Sequence, residues 1–123
     1  MRALIDRYLD AYNRQDVDAM LAAVHREVVF ENYAAGRLGV RTLGIEELRR
    51  LAENSRYLFS ARRQTIVGYR QQAGTAYAQI FFEGTFAVDL PNGVRAGQAI
   101  AMHGRSEFRE RDGLLAYIAD HSD

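Results

Sequence analysis

The stretch Tyr8-Leu9-Asp10-Ala11-Tyr12-Asn13-Arg14-Gln15-Asp16-Val17-Asp18-Ala19-Met20, followed by Val28-Val29-Phe30-Glu31-Asn32, reads as a helix, a corner, a second helix and a strand. Apolar side chains at Leu4, Ile5, Tyr8, Leu9 and Tyr12 make a helical stripe over residues 3–13. Asn13-Arg14-Gln15 breaks it, and Asp16 is a good N-cap for a short helix running to about Val24. From Val28 the period changes to two: Val28, Phe30 and Asn32 share one face, Val29 and Glu31 the other. Paired with Phe108-Arg109-Glu110-Arg111-Asp112-Gly113-Leu114-Leu115, a turn feeding a last strand that ends at Asp120, these segments suggest the walls of a cone-shaped small-molecule pocket.

Outward from there, Tyr33 to Thr42 contains glycine and reads as irregular. Gly44-Ile45-Glu46-Glu47 opens a third helix, acidic in its first turn as the helix dipole favours, running to about Tyr57 or Leu58. Strands are predicted over Thr65–Tyr69, Ala76–Val88, Ala99–Arg109 and Leu114–His121. Turns fall at Gln71–Gly74, Leu90-Pro91-Asn92-Gly93 and Arg111-Asp112-Gly113. Helices first and an antiparallel meander after them make an α+β fold in a single domain, residues 1–123. Alternation puts Ala78, Ile80, Phe82, Gly84 and Phe86 on the inner face, with Ile100, Met102, Gly104, Ser106 and Phe108 beside them. On the last strand Ala116, Ile118 and Asp120 alternate with Leu115, Tyr117 and His121, and polarity leaves the choice of face open.

Composition restricts the chemistry. The 123 residues carry 16 basic and 16 acidic side chains, net charge zero, with no basic stripe for nucleic acid. No apolar run approaches membrane-spanning length and no signal peptide is evident, so a cytoplasmic location is expected. Cysteine is absent, which excludes thiol nucleophiles, thiolate metal sites and disulfides. All 16 basic residues are arginine, so Schiff-base chemistry and a lysine-anchored pyridoxal group are excluded as well. There is no Gly-x-Ser-x-Gly elbow, phosphate loop or His-Glu-x-x-His pair. An enzyme of this composition works with carboxylates, tyrosine, histidine and bound water, without cofactor or metal.

The chain resembles the SnoaL-like and ketosteroid-isomerase-like branch of the nuclear transport factor 2-like superfamily. The residues that carry the resemblance are Tyr12-Asn13-x-x-Asp16-x-x-Ala19-Met20, Val28-x-Phe30-x-Asn32, Gly44-x-Glu46-x-Leu48-Arg49, Phe108-x-x-Arg111-Asp112-Gly113-x-Leu115 and Ala119-Asp120-x-x-Asp123. Their order and spacing span the chain. The resemblance implies a cone in which about three helices pack on a curved antiparallel sheet, usually in a dimer. Tyr8 falls where ketosteroid isomerases keep a tyrosine that donates to the developing oxyanion. Their aspartate base is replaced by Asn32, and their protonated aspartic acid falls at about Gly104, so steroid isomerisation is not expected. Asp120 matches an aspartate that serves as acid/base in the polyketide-cyclase branch. Limonene epoxide hydrolases pair a water-holding asparagine with an acid, parts that Asn32 and Asp120 suit, although Phe30 replaces their tyrosine.

The candidate catalytic set is therefore Asp120, Asn32 and Tyr8. Tyr12, Phe30, Tyr33, Phe59, Phe82, Phe86, Met102, His103, Ser106, Phe108 and Ile118 are candidate ligand contacts. Each has a plainer reading: Asp120 as a solvated residue near the terminus, Asn32 as a tie for the next loop, Tyr8 as core with its hydroxyl at the rim. His103 lies beside Arg105 and Glu107 on the outer face unless a one-residue bulge turns it inward. The function expected is a cofactor-free cyclase, isomerase, dehydratase or hydrolase for a hydrophobic small molecule. The alternative is a non-catalytic ligand-binding or dimerisation module, which a pocket filled by Phe30, Phe59, Phe82 and Phe86 would favour. Outward parity of Tyr77, Phe81, Leu115 and Tyr117 predicts an apolar patch and a homodimer through it.

Overall fold

The computed structural model describes all residues 1–123. In chain order the elements are α1 (Arg2–Asn13), α2 (Val17–Ala22), β1 (Val24–Ala34), β2 (Arg37–Leu43), α3 (Ile45–Ser55), β3 (Phe59–Gln72), β4 (Thr75–Phe86), β5 (Ala99–Arg111) and β6 (Leu114–Ser122). One six-stranded sheet has the order β2-β1-β6-β5-β4-β3. It is mixed: β1 and β6 run parallel, and the other four pairings are antiparallel, so the meander expected from sequence holds for β3 to β6 only. The helices pack on the concave side of this curved, unclosed sheet, giving the α+β cone.

Local chemistry accounts for the elements. α1 buries Leu4, Ile5, Tyr8, Leu9 and Ala11, the stripe read from sequence. It ends at a corner where Gln15 has φ 57, and the Asp16 carboxylate caps α2 by accepting from the Ala19 amide at 3.1 Å. The end of α1 is tied to β3. The Asn13 side-chain amide donates to the Gln64 carbonyl at 3.1 Å, and its oxygen accepts from the Gln64 N–H at 2.7 Å. Leu48 and Ala52 of α3 complete the helical cover.

Besides the parallel β1–β6 pairing, three further features differ from the sequence reading. Residues Arg37–Leu43 form β2, a strand where irregular chain was expected. Ala35 at φ 52 and Gly36 at φ 78 make a two-residue hairpin turn of the primed kind, which suits strand twist. Second, β3 begins at Phe59, six residues before the expected start. Third, Leu115 is fully buried in the core, not on the outer face. Arg109 pairs with Tyr117 while Glu110 pairs with Leu115, so Ala116 is an extra residue on β6 and parity flips there. Tyr117 therefore points outward and Leu115 inward, which removes one member of the expected outer patch.

Candidate functional site

Strand register assembles a polar row across the concave face. Asn32 of β1 is the partner of Asp120 on β6, and Asp120 is the partner of Ser106 on β5. One step deeper lies an apolar row, Phe30, Ile118, Phe108 and Ala76. The Ser106 hydroxyl donates to Asp120 Oδ1 at 2.6 Å. Burial raises the Asp120 carboxyl from its ordinary range to about 6, against the smaller lowering effect of the Ser106 hydrogen bond. The group is thus ionised at neutral pH and takes up its proton about one unit below it.

Two hollows meet at this row and share Tyr12, Asn32 and Asp120. One, of about 290 Å³, lies under the helices and is walled mainly by Tyr8, Met20, Phe30, Leu48, Phe59 and Arg62. The other, of about 200 Å³, lies toward the mouth between Gln64, Ile80, Phe82, Met102 and Ser106. Ile80 and Phe82 share this face, as alternation requires. Tyr8 packs edge-on against Phe108, ring centroids 6.3 Å apart. Its hydroxyl is held in the protonated form first by burial, then by the charges of Asp120 and Tyr12, with Arg62 acting in the opposite sense. Burial likewise raises Tyr12, which the Arg62 guanidinium opposes. The Tyr8 phenol therefore remains a donor at physiological pH.

Arg62 is the site residue that the sequence reading missed. It is only 8% exposed. Its Nε donates to the Tyr12 carbonyl at 3.2 Å and its guanidinium carbon lies 3.8 Å from the centre of the Tyr12 ring. The signal was available: Ile66, Gln64 and Arg62 continue one face of β3, once the strand is carried back beyond Thr65. No group of three or more His, Cys, Asp or Glu side chains is placed to hold a metal ion.

The family model for the SnoaL-like domain matches residues 5–118. This chain belongs to the SnoaL-like family. None of the curated proteins matches it in sequence. Among solved structures, it is similar to a candidate polyketide cyclase from Xanthomonas campestris pv. campestris. The TM-score is 0.86 at 20% identity, covering 99% of this chain and 89% of that one. It is also similar to AclR, a candidate hydroxylase from Streptomyces galilaeus, with TM-score 0.78 and 17% identity over 99% and 87% of the two chains. A hypothetical protein with a ketosteroid isomerase-like fold from Catenulispora acidiphila gives 0.79 at 12% identity, over 95% and 82%. At these identities the likeness is one of fold.

In this SnoaL-like domain the three candidate catalytic side chains, Asp120, Asn32 and Tyr8, line one hollow. Tyr12, Phe30 and Phe59 border the same space, and Phe82, Met102 and Ser106 border the adjoining one. Five other candidate contacts lie elsewhere. Phe108 and Ile118 are sealed beneath the polar row as core. Phe86 stacks on Phe59, centroids 4.9 Å apart, and holds that ring in place without reaching either hollow. Tyr33 faces outward by plain alternation, two residues after Glu31 on β1; it stacks on His121 at 4.6 Å and donates to Glu31. His103 rests against Phe81 on the outer face, because β4 and β5 pair there without a bulge. At Gly104, a Cβ would lie 2.6 Å from the His121 carbonyl oxygen, so no acid side chain fits where the isomerases place theirs.

Proposed function

We propose that this SnoaL-like domain is a cofactor-independent enzyme that moves a proton at carbon in a hydrophobic carbonyl compound, with Asp120 as the acid/base. The observation that carries the reading is the Asp120 carboxyl, raised to about 6 by burial and set between Asn32 and Ser106 where the two hollows join. A carboxylate with this pKa is a stronger base than one in water and is still ionised at neutral pH. In the step proposed, Asp120 takes a proton from the carbon next to a substrate carbonyl. The Tyr8 hydroxyl and the Asn32 amide donate to the oxygen as it gains charge. The enolate carbon then attacks a second carbonyl of the same molecule, and Asp120 returns the proton to the new alkoxide, an intramolecular aldol closure of the kind polyketide cyclases perform. Return of the proton to another carbon would make the same site an isomerase.

The aromatic residues support catalysis over a filled module. Phe59 packs against Phe82 and Phe86 and forms walls, leaving the space beside Asp120 open. The test is deuterium incorporation from D2O into aromatic 1,3-diketones, followed by NMR. Catalysed exchange above the buffer rate supports the reading, and diketones that bind without catalysed exchange oppose it. The register pairing of Asn32 with Asp120 also suits activation of a water against an epoxide. Incorporation of labelled oxygen from water into a diol product would favour that second reading. We propose further that the outer face, with Tyr77, Phe81 and Tyr117, joins two copies; a monomer mass by light scattering at micromolar concentration would oppose it.

A further inference from the structure

Arg62 stands in the wall of the deeper hollow without a carboxylate partner. None of the chain's ion pairs includes it. Every other feature of its setting resembles that of a buried, paired arginine: it is 8% exposed, its Nε is bound to the Tyr12 carbonyl, and one face lies on the Tyr12 ring. Those contacts fix the plane of the guanidinium and leave the Nη edge uncommitted. A cation withdrawn from water this far is costly unless an anion or several acceptors compensate it. One carbonyl and one ring face supply part of that compensation.

Two charged groups line this cavity, the Arg62 guanidinium and the Asp120 carboxyl. The influences on the Asp120 carboxyl are its burial and Ser106; Arg62 is not among them. Both groups act on Tyr8 and Tyr12, in opposite senses: Asp120 raises the two phenols and Arg62 lowers them. No ion pair joins the guanidinium to the carboxylate, and apolar side chains such as Phe30, Leu48 and Phe59 line the same hollow. A molecule filling this hollow meets a fixed cation at one place, a titrating acid at another and an apolar wall elsewhere.

We infer that Arg62 is an anion-binding residue and that the ligand of this cavity is an amphiphile, a flat apolar body bearing a carboxylate. A carboxylate matches the planar fork of a guanidinium through two parallel hydrogen bonds, a match that a lysine or a neutral amide cannot reproduce. The inference deepens the proposed function by naming a class of substrate, an aromatic or polycyclic keto acid held at Arg62 with its reactive carbon at Asp120. It rests on that reading only for the orientation; the anion site stands on the geometry of Arg62 alone.

The experiment is calorimetric titration at pH 8 with benzoate, 2-naphthoate and their primary amides, in the wild type, Arg62→Met, Arg62→Lys and Asp120→Asn. In the wild type each acid is expected to bind at least tenfold more tightly than its amide, with the naphthoate ahead of the benzoate. Arg62→Met should abolish the preference for the acid, and Arg62→Lys should retain a reduced one. Asp120→Asn should keep the preference or enlarge it, since a negative charge leaves the hollow. Acid and amide binding equally, no acid binding up to millimolar concentration, or an undiminished preference in Arg62→Met would each overturn the inference. So would unfolding of both Arg62 variants by circular dichroism, which would make Arg62 a fastening for Tyr12. Failure of diketone exchange with the acid preference intact removes the catalytic reading and leaves the anion site standing.

Discussion

Glu31 and Asp120 sit on the adjacent strands β1 and β6, one on each face of the sheet. Both carboxylates are withdrawn from water, and they differ in how many donors surround them. Glu31, 8% exposed, accepts from the Tyr117 hydroxyl at 2.5 Å and the Tyr33 hydroxyl at 3.2 Å, and Arg41 Nε lies 3.4 Å from its second oxygen. Its neighbours are in turn held: Arg109 stacks on the Tyr117 ring, and His121 on Tyr33. Asp120 has the Ser106 hydroxyl alone and opens into the cavity. A fully compensated acid fastens the outer face of the sheet. Asp120, with one partner and an open side, is raised above the ordinary carboxyl range and remains available for chemistry.

The largest consequence is expected in turnover. Asp120→Asn keeps shape and the Ser106 contact but removes the titrating proton, so it should lower diketone exchange by about two to four orders of magnitude. Glu31→Ala should leave the pH dependence of exchange where it is in the wild type, because it touches the other face. If Glu31→Ala abolished exchange while folding normally, the division of labour between the faces would be refuted.

Stability should sort the two acids the other way. Glu31→Ala leaves the half-buried Tyr117 and Tyr33 hydroxyls without their acceptor, which should cost about 1–3 kcal/mol in a denaturant titration. Asp120→Asn should stabilise, and only at higher pH. The folded-state pKa, about 6, lies above the carboxyl's ordinary value of 3.8. Such a group contributes its stability in full below the unfolded pKa and loses it as pH rises through the folded one. Wild type and Asp120→Asn should thus be nearly equal at pH 4 and diverge by about 2 kcal/mol in favour of the variant above pH 7. A variant that is equally stable, or less so, at pH 8 would show that the carboxylate is better solvated than its surroundings imply.

The fold was readable because its signals are periodic and local: the α1 stripe, the Asp16 cap, the acidic first turn of α3, and alternation along β4 and β5. β2 was not, since it is an edge strand with Thr42 its one buried residue; backbone pairing with β1 holds it and leaves no alternation to read. Asp120, Asn32 and Tyr8 were legible through the resemblance, which fixes where inward positions converge. Leu115 was misplaced because an extra residue at Ala116 reverses parity without leaving a mark in composition. Arg62 was overlooked for a physical reason of its own. Hydrophobic patterning assigns a charged residue to the solvent side, and a cation turned inward, as Arg62 is, is the case in which that rule fails.

The finest test of the contrast between the two acids is the single hydrogen bond on Asp120. Ser106 Oγ lies 2.6 Å from Oδ1 and donates to it, which favours the ionised form and holds the pKa below the value burial alone would impose. Ser106→Ala removes that donor and puts a small apolar group beside the carboxyl, so the ionised form loses both a hydrogen bond and some solvation. The pKa should rise above about 6, and the rising limb of kcat/KM against pH should move upward by about one unit, since a hydrogen bond to a charged group is worth about 1.5–3 kcal/mol. At pH 6 the variant should be several-fold slower than the wild type, while above pH 8, where Asp120 is ionised in both, the two should converge. A limb that stays in place would show that water replaces the Ser106 donor and that the site is wetter than its walls suggest. A limb moving to lower pH would contradict the assignment of Asp120 as the base, because no loss of a donor to a carboxylate can make it a stronger acid.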